Sequence, residues 1–204
     1  EATATADAKA IWDFLTAKIG NAYGVAGLMG NLYAESALKP TNLQGSYETK
    51  LGYTDQTYTD AVDNGSYTNF VKDSAGYGLA QWTYWSRKEN LLKYAQSINS
   101  SIGNLETQLE FLYKELSESY KSVLTTLKEA KSVREASDVV LTKFERPANQ
   151  GESVQIKRAG YGEKYYNEYA VTTPDPAPVE DSSTIKVDSA KDKKEGIDRG
   201  QTLT

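Results

Sequence analysis

The chain has 204 residues, 39% of them hydrophobic and 25% charged, with a net charge of −5. That is enough for one domain with a substantial core plus appendages, and the acidic balance argues against a nucleic-acid partner. There is no His and no Cys, which removes Cys-His and Ser-His-Asp nucleophilic machinery, zinc sites built on those residues, and disulfides. No apolar run approaches the roughly 18 residues of a membrane span.

In chain order, Ala6 to Ile19 reads as a helix with Ile11, Trp12, Leu15 and Ile19 on one face, stopped at Gly20-Asn21. The stretch Gly24 to Ser36 is the centre of the design. At roughly 100° per residue, Val25, Leu28, Met29, Leu32 and Tyr33 share a broad apolar face. Ala26, Gly27, Gly30 and Ala34 form a second face of small side chains, where another element can approach closely. Only Asn31 and Glu35, stacked four residues apart, are strongly polar before Ser36. A helix this apolar belongs inside a protein, and burial would push the carboxyl of Glu35 towards the protonated form that a general acid needs. Pro40 should end the helix soon after Glu35.

From Thr41 to about Ala75 the helical period fades into Gly, Asn, Asp, Thr and Tyr. Asp63-Asn64-Gly65-Ser66 is a turn signal, so a small lobe of loops with one hairpin is expected. Asp73 then precedes Gly76-Tyr77-Gly78-Leu79-Ala80-Gln81-Trp82. Glycines on both sides of Tyr77 permit unusual backbone angles and close approach of a ligand. Gln81 and Trp82 offer a two-headed amide beside a flat apolar face, which suits an N-acetyl sugar and equally suits a buried core.

Beyond Trp85 the chain turns helical. Leu91, Leu92 and Ala95 mark one helix, Leu105 to Leu116 a second, and Val123, Leu124 and Leu127 a third. Ser132-Val133-Arg134-Glu135 has the form of a capping box and opens a helix that Pro147 stops. Glu145 stands in its last turn, where a negative charge opposes the helix dipole and calls for a partner, Arg146 or Arg158. A final helix from about Glu152 carries Val154, Arg158, Tyr161, Tyr165 and Tyr169 on one side. Residues 1–5 read as an N-terminal strap, and residues 171–204, with Pro174, Pro176 and Pro178 ahead of a polar charged run, as a linker towards a further module. The chain opens on Glu1 rather than Met, as a processed or excised form would, so a missing secretory signal says nothing against export.

Without His or Cys, carboxylate-driven glycoside hydrolysis is the chemistry that fits best. Three stretches in order carry a resemblance: Asn31-Leu32-Tyr33-Ala34-Glu35-Ser36, Gly76-Tyr77-Gly78-Leu79-Ala80-Gln81-Trp82 and Phe144-Glu145-Arg146-Pro147. They resemble the motifs of the phage tail lysozyme family, and more distantly those of goose-type lysozymes and lytic transglycosylases. The resemblance spans about residues 6–170 and implies a mainly α, lysozyme-like (α+β) fold with a cleft beside a small lobe. It implies cleavage of the β-1,4 bond between N-acetylmuramic acid and N-acetylglucosamine in peptidoglycan, without cofactor or metal. Carried over by motif, Glu35 is the general acid and Gln81 a substrate-binding group. Ser36, Tyr77 and Trp82 are further candidates to hold sugars, with Asn31 and Glu145 as structural neighbours. For the second carboxylate, Asp73 is expected to face Glu35, with Asp63 and Glu48 as weaker choices. Were none to face it, the substrate's own N-acetyl group could assist, giving 1,6-anhydro products. A non-catalytic glycan-binding or assembly domain of the same shape is the rival of another class. A monomeric, extracellular or cell-wall protein within a larger multi-module chain completes the expectation.

Overall fold

The computed structural model describes residues 6–171. The expected strap (1–5) and linker (171–204) lie outside them, save for Val171, which closes the last helical turn. Helices α1 (Ala6–Ile19) and α2 (Ala22–Ser36) are followed by two short ones, α3 (Gly45–Leu51) and α4 (Asp55–Asp63), and a 3₁₀ turn at Phe70–Lys72. Then come α5 (Trp85–Ser97), α6 (Leu105–Glu118), α7 (Lys121–Glu129), α8 (Val133–Val139) and α9 (Glu152–Tyr165). Helices α8 and α9 each run on into a π-helical turn, Val140–Glu145 and Tyr166–Val171. No helix among the described residues is long and apolar enough to cross a membrane.

Helix α2 is the axis of the molecule. Every residue from Gly24 to Leu32 is buried, and α1, α7, α8 and α9 pack round it. Its start is fixed by Asn21, whose side-chain oxygen accepts the Tyr23 N–H while its amide nitrogen donates to the Leu127 and Ala130 carbonyls at 3.0 Å. The small face read from the sequence is where neighbours come close. A Cβ at Gly27 would stand 2.5 Å from the Ala136 side chain and at Gly30 2.5 Å from the Arg158 carbonyl oxygen, and Gly24, outside the face read from the sequence, is as tightly met by the Leu127 carbonyl. Successive glycines thus admit α7, α8 and α9 in turn. Gly30→Ala is expected to cost about 1–3 kcal/mol, because the atoms it meets are backbone and cannot swing away; a denaturant midpoint equal to wild type would show that α9 yields freely.

Helix α2 stops where Pro40 led us to expect. Ala37 and Leu38 both take left-handed angles (φ 55 and 62), and the Ala37 N–H closes on the Tyr33 carbonyl at 2.8 Å. Glu35 therefore sits in the last helical turn.

The small lobe differs from the expected loops and hairpin. Among the described residues it is helical, with extended pairing confined to isolated bridges, Leu43 to Tyr77 and Tyr77 to Trp82. The Thr and Tyr content that reads as strand serves other ends. Thr54 and Thr57 form a reciprocal capping box that starts α4, and Tyr58, Ala61 and Val62 supply its buried face. The turn signal is real but ends a helix: Asn64 caps α4 and Gly65 takes φ 82. Asp63 accepts hydrogen bonds from the Ser101 hydroxyl and the Ile102 N–H, pinning the lobe to the loop before α6.

Candidate active site

A cavity of about 800 Å³ lies where the end of α2, the loop into α5, the start of α7 and the turn after α8 converge. Glu35, Gln44, Gln81, Thr83 and Tyr84 line one part of it, and Arg87, Tyr120 and Phe144 to Ala148 the rest.

Glu35 comes to the wall from the last turn of α2, with its side chain 17% exposed. It is met by a cation rather than by purely apolar surroundings: an Arg158 terminal nitrogen lies 2.8 Å from Glu35 Oε2. Asn31, one turn earlier, holds that arginine in place. Its side-chain oxygen accepts from Arg158 at 3.1 Å, while its amide nitrogen donates to the Gly27 carbonyl and to the carbonyl and hydroxyl of Ser137. Asn31 is fully buried, and the network joins α8, α2 and α9 directly behind Glu35. Ser36, also buried, shares its hydroxyl between the Leu32 and Leu79 carbonyls, tying the end of α2 to the Gly-Tyr-Gly loop.

Glu145 comes to the same cavity from the end of the π-helical turn. The turn closes when the Arg146 N–H reaches back to the Leu141 carbonyl at 2.8 Å and Arg146 takes φ 49, ahead of Pro147. Its Oε2 is sealed from solvent without a hydrogen-bond partner. Burial, and next the charge of Glu35, hold the Glu145 carboxyl well above the ordinary range, against the opposing pull of Arg87 and Arg158. Of the two partners expected for Glu145, Arg158 pairs with Glu35 instead, and Arg146 is exposed and forms no ion pair with it.

Asp73 is not brought to this cavity. Lys88 donates to its Oδ1 at 2.6 Å, the Tyr58 and Tyr67 hydroxyls to Oδ2 at 2.6 and 2.9 Å, and the Ala75 N–H to Oδ1 at 2.9 Å. Both ends of the ion pair are buried, at 1% exposure for Asp73 and none for Lys88. The carboxylate has enough donors of its own within the small lobe to be fully satisfied there. Asp63 is engaged as described above, and Glu48 lies by Lys39 and Asp55 on another part of the surface.

The Gly-Tyr-Gly segment is packed from within. Tyr77 is fully buried, its hydroxyl bonded to that of Thr59. Gly78 does need its left-handed angle (φ 82), yet the space above it is taken by the Gln108 amide, and that above Gly76 by Gln81 and Gln44. Trp82 is likewise buried, and its indole N–H donates to Glu115 at 2.8 Å. Of the residues in that motif singled out for sugar contact, Gln81 lines the cavity. It does so at φ 51, with its amide nitrogen committed to the Asn42 and Gly78 carbonyls.

Sequence reasoning missed Arg87 and the group it holds together in the lining. Arg87 forks onto buried Glu115 through Nε and a terminal nitrogen, both at 2.8 Å, and lies over Phe144 and Tyr120 at 4.8 and 5.4 Å from their ring centroids. A signal existed for Glu115, which follows Leu112 by three positions and directly precedes Leu116 on the buried side of α6.

Two carboxyl groups with different surroundings, Glu35 and Glu145, thus line one cavity on a helical scaffold. The phage tail lysozyme family model matches residues 6–169, and the chain belongs to that family. Membership points to a lysozyme-like hydrolase acting on peptidoglycan. No curated protein matches the chain.

Proposed function

We propose that the chain is a peptidoglycan muramidase that cleaves the β-1,4 bond between N-acetylmuramic acid and N-acetylglucosamine, with Glu35 as general acid. The observation that carries this is the placing of Glu35 on the wall of the large cavity, aimed by a buried Arg158–Asn31 support. A residue meant only to solvate a helix end has no need of such bracing. Gln81 lines the same cavity and positions the sugar, chiefly through its side-chain oxygen, since its amide nitrogen is committed to the Asn42 and Gly78 carbonyls. Ser36, Tyr77 and Trp82 contribute by holding the loop that carries Gln81, and Asp73 by holding the small lobe. The site of action is the bacterial cell wall, reached from outside the cell or from a virion.

The distance of Asp73's role from the cavity gives weight to a second route. Glu35 is paired with Arg158, Glu145 has its Oε2 sealed, and Asp73, outside the lining, is not the base that would activate water there. The substrate's N-acetyl group can assist instead, and closure by its C6 hydroxyl gives a 1,6-anhydro end. Mass spectrometry of fragments released from purified walls separates the routes, because the two kinds of end differ by one water. Muramic acid at new reducing ends is the expected hydrolytic product. Anhydro ends would move the enzyme to the transglycosylases, and new reducing ends on glucosamine would sink the muramidase assignment.

A further inference from the structure

Two carboxyl groups, Glu35 and Glu145, line the cavity, and of the guanidinium groups at or beside it Arg87 and Arg158 are already engaged. Arg87 is forked onto Glu115, and Arg158 divides its nitrogens between Glu35 and Asn31. Arg146 also lines the cavity, but it is exposed beyond the last helical turn and makes no ion pair with Glu145, while Tyr84 and Tyr120 bring only phenols to the lining. Glu145 Oε2 is left sealed and unmatched at the C-terminal end of a helical turn, where the backbone dipole also opposes negative charge. Ionised there, it would be a buried unpaired charge; carrying its proton, it is not.

We propose that Glu145 is a positioning residue that holds the reserve proton of the site, the two carboxyl groups sharing one proton that rests on Glu145 and passes to Glu35 for catalysis. The proposal rests on the muramidase reading of the cavity. As the Glu145 O–H bond breaks, an O–H bond forms on Glu35, directly or through one water. Glu35 then gives that proton to the glycosidic oxygen, and the electron pair of the C1–O bond leaves with that oxygen. The hydroxyl that attacks C1, whether of water or of C6, returns a proton to the pair. A shared proton lets Glu35 be protonated without the site taking up a second one, so the acid form persists to higher pH than an isolated, arginine-paired carboxyl allows.

Glu145→Gln keeps the shape but is permanently neutral and has no proton to share. Its activity on purified walls should stay within about twofold of wild type at acid pH and fall about tenfold or more at neutral pH, the alkaline limb moving to lower pH. Glu145→Asp, which can still carry the proton, should recover part of the neutral activity. A wild-type pH profile for Glu145→Gln would reduce Glu145 to packing. Loss at every pH in a folded Glu145→Gln would mean that it touches the reacting atoms itself, which also overturns the proposal.

Stability supplies a readout independent of catalysis. The folded chain keeps a proton that the unfolded chain releases above about 4.5, the ordinary glutamate value. Wild type therefore loses stability as pH rises from there towards the raised value of Glu145, and Glu145→Gln does not. The variant's denaturant midpoint should exceed that of wild type at neutral pH, and the gap should close in acid. Parallel curves would remove the proton from Glu145. Failure of wild type to cleave walls at any pH, with the gap present, would end the muramidase reading while leaving the proton where it is.

Discussion

Glu35→Gln is expected to lower the release of new glycan ends from purified walls by about 10²–10⁴-fold, the range that a lost general acid commands. The substitution is chosen because it disturbs little else. Glutamine keeps the length of the side chain, and its oxygen can still accept from the Arg158 nitrogen that now lies 2.8 Å from Glu35 Oε2. Asn31 holds that arginine from behind, itself fixed by Ser137, and both are untouched. The end of α2 should therefore keep its geometry, with unchanged circular dichroism and denaturant midpoint, while the transferable proton is gone. A non-catalytic domain of the same shape makes the opposite forecast: retention of walls without new ends, indifferent to the variant. Near-normal cleavage by Glu35→Gln would end the assignment of the acid.

What could be read from the sequence is what neighbours along a helix decide. Ala26, Gly27, Gly30 and Ala34 make a face of small side chains, whose one physical use is the close approach of other backbones, while Gly24, equally tight, falls outside that reading. The same locality placed Glu35 near a helix end, since Pro40 follows it by five residues and cannot continue the helix. Asp73 shows where locality fails. It precedes Gly76 by three residues, yet the partners that decide its place, Tyr58 and Lys88, are each fifteen positions away. Trp82 and Tyr77 carry flat faces fit for a sugar, but whether a face is free depends on Phe111 and Phe70 packing against them. The pairing of Arg158 with Glu35 spans more than a hundred residues, so a local reading could not tell which carboxylate the arginine would serve.

Asp73→Ala should be among the most destabilising single changes in the chain, costing about 3–5 kcal/mol, because it leaves a buried ammonium without its counter-charge. Lys88 has no exposed surface and would keep only the Ala75 carbonyl at 2.6 Å, the Tyr58 hydroxyl at 3.3 Å and the face of Phe70 at 4.3 Å from its centroid. Burial already pushes the Lys88 ammonium down, and Asp73 is what opposes that push. Burial, joined by the bond to Asp73, raises the Tyr58 and Tyr67 hydroxyls, so both remain neutral donors across the working range. Asp73→Asn is the milder test, keeping the shape while removing the charge. The measurement has two halves: a denaturation midpoint, and kcat per folded molecule at a temperature where the variant is intact. A structural Asp73 lowers the first and leaves the second within a few-fold. Loss of kcat by orders of magnitude at unchanged stability would return Asp73 to the chemistry. Pairing Asp73→Asn with Lys88→Met separates charge from packing, since removing both partners of a buried pair spares the fold the lone charge that either single change leaves behind. Recovery of the midpoint in that double variant is expected, because what Asp73 supplies is neutralisation of Lys88 beneath the lobe.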